Sequence, residues 1–494
     1  MEPKRVNPWL VLVVVGIAQF MVILDNTIVN VALPSIQRGL HFSPASLQWI
    51  VNAYTLAFGG FLMLGGRAAD LVGRRRLFLI GIVLFSAASL MNGLAGSAGI
   101  LVAGRAVQGL GGALVTPAAL SVLTTTFAEG RERTAALGVW SAIAVGGGAV
   151  GLLLGGVLTS LLSWQWIFFV NVPVGVIAIA LAIRFVPESR VENARGGIDV
   201  AGAVSVTGGL VVLVYALVNA QTAGWISVET LGLTAIAVAL LATFVILEGR
   251  LRHPLIRLGI FRMRSITGAN SAMLLIAGGL FAMFFFASIY VQEVLGYSAL
   301  RAGLAFLPVT LGIIAGAGLS NLLIRRVGVR AVGISGMSIA SVGLLVLSRI
   351  PVHGTYLGDL LPGLMIMAFG MGLTFVPITL IATTNVAAED AGLASGLLNT
   401  AQQLGGAIGL AVLSTLAANT TANTLSALGH VPTPAEGVSA LVSGFHVAFI
   451  VGAGLMLSAA VILGTTVRKS DVAKIESTNE QEAAALLAVE PVAS

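Results

Sequence analysis

Residues 9–31 read WLVLVVVGIAQFMVILDNTIVNV. A helix needs roughly 20 apolar residues to cross the hydrocarbon core of a bilayer. This stretch has that length, and its one full charge is Asp25. An ion in hydrocarbon is expensive, so Asp25 needs a partner or a task. No early cleavage site follows and similar stretches recur, so a first membrane helix is expected here rather than a removed signal peptide.

Working outward, further apolar stretches are expected to span at about 46–66, 77–96, 100–124, 135–160, 165–187, 199–218 and 226–247. The rest fall at about 268–290, 301–323, 331–349, 357–380, 395–417 and 441–466, which makes fourteen. Charged residues are 9% of the chain and hydrophobic ones 57%, with a mean hydropathy of +1.00. A soluble domain carries about 25% charge, so the composition excludes a water-soluble fold. Fourteen spans use about 280 residues, which leaves short loops and a tail at 467–494. The chain has no cysteine, which excludes disulfides, thiolate metal sites and cysteine nucleophiles. His41, His253, His353, His430 and His446 are scattered, so neither a metal site nor a nucleophile–base pair emerges and no enzyme is expected.

Lysine and arginine set the orientation. Of 26, twenty-two fall on one face, among them Arg67, Arg74, Arg75, Arg76 and Arg325, while Arg38, Arg301 and Arg349 fall on the other. Arg105 alone lies deep inside a span. The positive-inside rule then places both termini in the cytoplasm with an even number of spans. The net charge of +6 is explained by this loop bias, and no nucleic-acid partner is expected.

The fourth span contains GALVTP at 112–117 and the twelfth GLTFVP at 372–377, an offset of 260 residues. An internal duplication with two inserted helices accounts for that offset. The expected organisation is a six-helix bundle over 9–187, a two-helix hairpin over 199–247, a six-helix bundle over 268–466 and a cytoplasmic tail. Repeated bundles around a central path are the architecture of secondary transporters. At the same offset Arg105 falls opposite Met365 and Asp25 opposite Phe285, so both buried charges belong to the first half.

Several local patterns carry chemistry. Burial disfavours the charged form of a carboxyl, which suits Asp25 to carrying a proton; the competing reading is an ionised aspartate paired for structure. Gln19, Asn26 and Asn30 share one helix stripe beside it. Arg105, in RAVQGLGG at 105–112, keeps its charge at any physiological pH, with Gln108 as a polar neighbour. It either supports the charge change at a carboxyl or is tied structurally to carbonyls. In GRAADLVGRRR at 66–76, Gly66 and Gly73 allow close approach and a tight turn, Asp70 can pair with an arginine or accept helix N-terminal amides, and Arg74 joins them as a latch candidate. Such contacts can latch two states; a solvated basic loop is the alternative. GGAVGLLLGG at 147–156 supplies Gly147, Gly151, Gly155 and Gly156 for close helix packing. The overlapping GxGxxG pattern at 146–151 lacks the preceding strand of a dinucleotide fold. In WQWIFFVNVPVG at 164–175, the tryptophans suit an interface and Asn171 is open to a binding or a structural role.

These motifs, with LDNTIVNVALP at 24–34, resemble those of the fourteen-helix drug:proton antiporters of the major facilitator superfamily, the QacA-like and EmrB-like exporters. The resemblance covers about residues 9–467, and Leu152 stands where that family usually has proline. It implies an all-α major facilitator fold of 6+2+6 helices in a bacterial cytoplasmic membrane, working as a monomeric unit without cofactors. It implies protons as coupling ions, with Asp25 and Arg105 as the coupling pair. It also implies hydrophobic or amphipathic small-molecule cargo, cations included, drawn from the cytoplasm or the surrounding lipid. Candidates for the cargo path are Asn26, Asn30, Gln108, Asn171, Phe281, Phe284, Phe285, Tyr290, Met367 and Phe369, since aromatic and methionine side chains suit bulky apolar ligands. A dedicated exporter of one antibiotic, or a lipid-handling or membrane-structural protein, are the alternatives.

Overall fold

The computed structural model describes residues 7–43, 46–127, 131–189, 199–251, 254–383, 386, 391–468 and 470–472. Every regular element among them is helical. In order these are α1 (Pro8–Leu40), α2 (Trp49–Val72), α3 (Arg74–Gly93), α4 (Ala98–Thr126), α5 (Arg131–Leu161), α6 (Trp166–Phe169), α7 (Asn171–Phe185), α8 (Val200–Ala223) and α9 (Val228–Arg250). Then come α10 (Arg264–Ile289), α11 (Ala299–Ala305), α12 (Leu307–Val327), α13 (Val329–Leu347), α14 (Leu361–Thr383), α15 (Ala391–Ser426) and α16 (Pro434–Thr466). In hydrocarbon each backbone amide must be satisfied within its own segment, which selects helices.

Thirteen segments among the described residues are long and apolar enough to cross a membrane. The described apolar part of α5, residues Gly146–Leu161, is shorter. Two expected spans are each built from two helices. The sixth joins α6 to α7 at Val170, and the tenth joins α11 to α12 at Phe306. Several helices outrun their apolar runs because their ends are set by caps rather than by hydropathy. Asn7 accepts from the Trp9 amide at 3.0 Å with Pro8 following, and α1 runs through Pro34 until His41 adopts the left-handed conformation (φ 55°). Pro117 and Pro377, the repeated prolines, both lie inside helices, α4 and α14.

Backbone packing divides the chain into two compact units. The first comprises Met1–Arg257, Phe284–Leu307 and Leu410–Gly444; the second comprises Leu258–Met283, Pro308–Gly409 and Phe445–Ser494. Within the first, α4 packs between α2 and α3, α1 packs on α5, and α8 pairs with α9. Tyr54, Phe58, Phe78 and Phe85 belong to its apolar core. Within the second, α13 packs along α14.

Candidate functional site

The two buried charges of the sequence meet. Asp25 on α1 and Arg105 on α4 are both 0% exposed, and Asp25 Oδ2 accepts from Arg105 Nη1 at 2.5 Å. Asp25 Oδ1 accepts from Gln108 Nε2 at 2.7 Å and from Asn171 Nδ2 at 2.8 Å. Three donors thus converge on the two carboxyl oxygens, which act as acceptors.

Local sequence explains how α4 delivers two of these donors. Arg105 and Gln108 are three residues apart, so they share a helix face. Glycines then let α4 approach its neighbours: a Cβ on Gly109 would collide with the Tyr54 carbonyl, and one on Gly111 would stand 2.7 Å from the Phe85 amide. That approach brings Arg105 Nε to the Ile50 carbonyl at 3.0 Å and its guanidinium carbon 4.3 Å from the Tyr54 ring centre. A carbonyl and an aromatic face thus spread the arginine charge that a membrane interior would otherwise leave unsolvated.

Gln108 is the hub. Its Oε1 accepts from Arg105 Nη1 and Asn92 Nδ2, both at 2.8 Å, while its Nε2 donates to Asp25 and, at 2.6 Å, to Ser89 Oγ. Ser89 and Asn92 on α3 are fully buried. They were not among the sequence candidates, although two polar residues three apart in an apolar span form a polar spot on one helix face. Tyr54 was missed for a different reason: one tyrosine in an apolar run gives no signal.

Of the other candidates, Asn26 and Asn30 stay outside this network. Asn30 Nδ2 turns back onto the Asn26 and Thr27 carbonyls at 3.4 and 3.3 Å, and Asn26 is half-buried. The carbonyls of Asn30 and Val31 instead accept from Ser288 Oγ at 2.6 Å and Gln292 Nε2 at 3.0 Å. Phe284, Phe285 and Tyr290 lie in the same unit; Phe284 stacks obliquely on Phe306 and Tyr290 begins a π-helical turn. Phe281, Met367 and Phe369 lie in the second unit, with Phe281 against Gly406 and Met367 against Gly343. That unit holds a cavity of about 180 Å³, whose lining includes Met273, Phe375, Thr379, Ser395, Asn399 and Gln402 but none of those three among the described residues.

The loop between α2 and α3 is tied to the end of α7. Gly73 has φ 112°, open to glycine and strained for other residues, and joins the two helices directly. The Arg74 amide donates to the Ser189 carbonyl at 2.9 Å, the Arg75 amide to Glu188 Oε1 at 3.3 Å, and Arg76 Nε lies 3.6 Å from Glu188 Oε2. Glu188 was missing from the sequence candidates. A Cβ on Gly66 meets only ordinary contact, and the close approach falls at Gly65, against Ala113. The Asp70 side chain lies outside the described residues.

On α5, Gly147, Gly151 and Gly155 face α1: Cβ atoms there would stand 3.1 Å from Ile23, 2.9 Å from the Leu24 carbonyl and 2.6 Å from the Ile28 carbonyl. Gly156 faces α11, where a Cβ would stand 2.6 Å from the Ala299 carbonyl. Among the described residues no group of three or more His, Asp or Glu side chains is placed to hold a metal ion.

With this geometry in place, comparison with known proteins is informative. The profile of the Major Facilitator Superfamily matches residues 15–410. The chain is 40% identical over 464 residues to the puromycin resistance protein pur8 of Streptomyces alboniger, covering 93% of this chain and 91% of that protein. It is 41% identical over 460 residues to the cephamycin export protein CmcT of Amycolatopsis lactamdurans, covering 91% of each. Its fold is similar, with a TM-score of 0.67 at 17% identity over 94% of this chain and 97% of the other, to an inward-facing, occupied bacterial homolog of the human lysosomal transporter Spinster. The chain is therefore a multi-pass protein of the cytoplasmic (inner) membrane and belongs to the Major Facilitator Superfamily.

Proposed function

We propose that this protein is a proton-coupled exporter that moves hydrophobic or amphipathic small molecules out of the cytoplasm by alternating access. The observation that carries the reading is the fully buried Asp25–Arg105 pair with its ring of amide and hydroxyl partners. As it stands the pair is electrically neutral. Adding a proton to Asp25 leaves Arg105 charged, so the buried site becomes a net cation. A lone buried cation is strongly disfavoured, so proton uptake favours a conformation that gives Arg105 water or a new partner. Proton release restores the neutral pair and the original conformation. Cargo that prefers one of the two conformations is then moved by the proton gradient. The polar contacts of α1 with Ser288 and Gln292, and the 66–76 loop, are where states exchange in this scheme.

The names of the relatives, one for resistance and one for export, support outward movement of antibiotic-like cargo. The cavity in the second unit is uncharged and mixes apolar with hydroxyl and amide groups, which suits an amphipathic ligand. At about 180 Å³ it holds only part of a drug-sized molecule, whose pockets run from about 300 Å³ upward. Both relatives carry the name of a single antibiotic, and this favours a second reading, a dedicated exporter of one compound.

The test is transport driven by a pH gradient in proteoliposomes, with Asp25→Asn beside the parent. The variant is expected to lose dependence on the gradient; unchanged coupling overturns the role of Asp25. A panel of chemically distinct compounds separates broad from dedicated export. The proposed topology, 6+2+6 helices with both termini inside and a monomeric working unit, is open to single-cysteine labelling, because the chain has no cysteine of its own.

A further inference from the structure

The inserted hairpin holds a second pair of buried acidic groups, apart from the Asp25 site. Asp199 precedes α8 and Glu248 lies in the last turn of α9, so the two meet at the open end of the hairpin, opposite its turn at Gly224. They are 9% and 3% exposed. Each has one oxygen held by a backbone amide: Asp199 Oδ1 accepts from Gly202 N at 2.7 Å, and Glu248 Oε2 accepts from Ile256 N at 2.9 Å. The remaining oxygens, Asp199 Oδ2 and Glu248 Oε1, are buried and receive no hydrogen bond among the described residues. Those two oxygens converge over Gly202, where a Cβ would touch Asp199 Oδ2 and stand 3.1 Å from Glu248 Oε1. The two carboxyls therefore face each other across one small space above Gly202.

Two carboxylates cannot hydrogen-bond each other, because both are acceptors. With one proton between them they can, as donor and acceptor, and the pair then carries one negative charge instead of two. We propose that Asp199 and Glu248 form a proton-binding site that holds one shared proton at neutral pH and thereby fastens α8 to α9. The two amides stabilise the single remaining charge, and the bare Cα of Gly202 leaves room for the bridge. The described cations on the surrounding elements are Arg67 on α2, Arg250 at the end of α9 and Arg257 beyond it, and none of them donates to either of the two bridging oxygens. Losing the proton puts two like charges face to face in a buried site, so the hairpin loosens as pH rises.

The test uses the full-length protein in nanodiscs, with Glu248→Gln, Glu248→Ala and Asp199→Asn. Asparagine remains a good helix cap, and glutamine supplies the bridging donor permanently. Infrared spectra of the parent at neutral pH are expected to contain a protonated-carboxyl band that both Glu248→Gln and Asp199→Asn remove, whereas Asp25→Asn leaves it in place. Glu248→Gln is expected to melt like the parent at neutral pH and to lose the parent's decline at higher pH, while Glu248→Ala melts lower throughout. A spectrum in which neither Glu248→Gln nor Asp199→Asn removes a protonated-carboxyl band overturns the proposal. So does Glu248→Gln melting as low as Glu248→Ala at neutral pH. Failure of the Asp25 scheme would leave both readouts unchanged.

Discussion

Replacing Arg105 by methionine isolates the energetics of the buried pair. The side chain is fully buried and donates to Asp25 Oδ2, Gln108 Oε1 and the Ile50 carbonyl. Methionine keeps much of the length and none of the donors. Gln108 Oε1 still accepts from Asn92, so it loses little. Asp25 keeps the donors Gln108 and Asn171 but loses its counter-charge. Breaking a buried pair from one side costs about 3–5 kcal/mol, and the Ile50 carbonyl keeps its place in the α2 helix. With two amide donors still on Asp25, we expect a loss in the middle of that range, about 4 kcal/mol. Asp25→Asn strands Arg105 in turn, and no loss of a proton can relieve that residue. In the double variant neither charge is stranded, so the combined loss should fall short of the sum by about 2–3 kcal/mol. The assay is reversible unfolding of the four proteins in mixed micelles, read as a double-mutant cycle. Additive losses, within about 0.5 kcal/mol, would refute the claim that the two side chains stabilise each other's charge.

Other expectations are smaller and local. Gly155→Ala places a methyl against the Ile28 carbonyl, which cannot rotate away, so it should cost about 1–3 kcal/mol and impair transport; Gly147→Ala meets side-chain atoms of Ile23 and Phe20 and no backbone, and should stay within about 1 kcal/mol of the parent in the same unfolding assay. Gly73→Ala forces a positive φ and displaces Glu188, for about 1–2 kcal/mol or more. Glu188→Gln keeps an acceptor for the Arg75 amide and removes only a partly exposed pair with Arg76, for at most about 1 kcal/mol, so its melting temperature should exceed that of Gly73→Ala. Ser89→Ala leaves a Gln108 N–H without its acceptor in a buried site and should lower stability by about 1–3 kcal/mol, measurable by thermal unfolding.

The residues sort by how local their physics is. Membrane insertion depends on the apolar length of a continuous segment, and so the helical class and the places of thirteen long apolar helices were legible before any packing was known. Helix ends were less so: α1 runs on through Pro34 to a left-handed His41, a backbone feature with no hydropathic signal. Asp25 and Arg105 stood out because a charge in hydrocarbon is conspicuous in one dimension, and Gln108 followed from its place one turn after Arg105.

The partnerships required three dimensions. Asp25 and Arg105 are 80 residues apart and Asn171 is 146 from Asp25, so only the packing of α1, α4 and α7 brings them together, while glycines let α4 press against α2 and α3. Ser89 and Asn92 became part of the site through that packing, as Glu188 did through the approach of α7 to the 66–76 loop. Asp199 and Glu248 each pass as an ordinary helix-end acid until the hairpin closes and turns their oxygens together. The sequence by itself determined that the chain lives in a membrane and which charges there need explaining, since solvation by lipid acts on each segment separately. Which groups answer those charges was decided by tertiary structure, because hydrogen bonds act over about 3 Å and only packing brings distant helices that close.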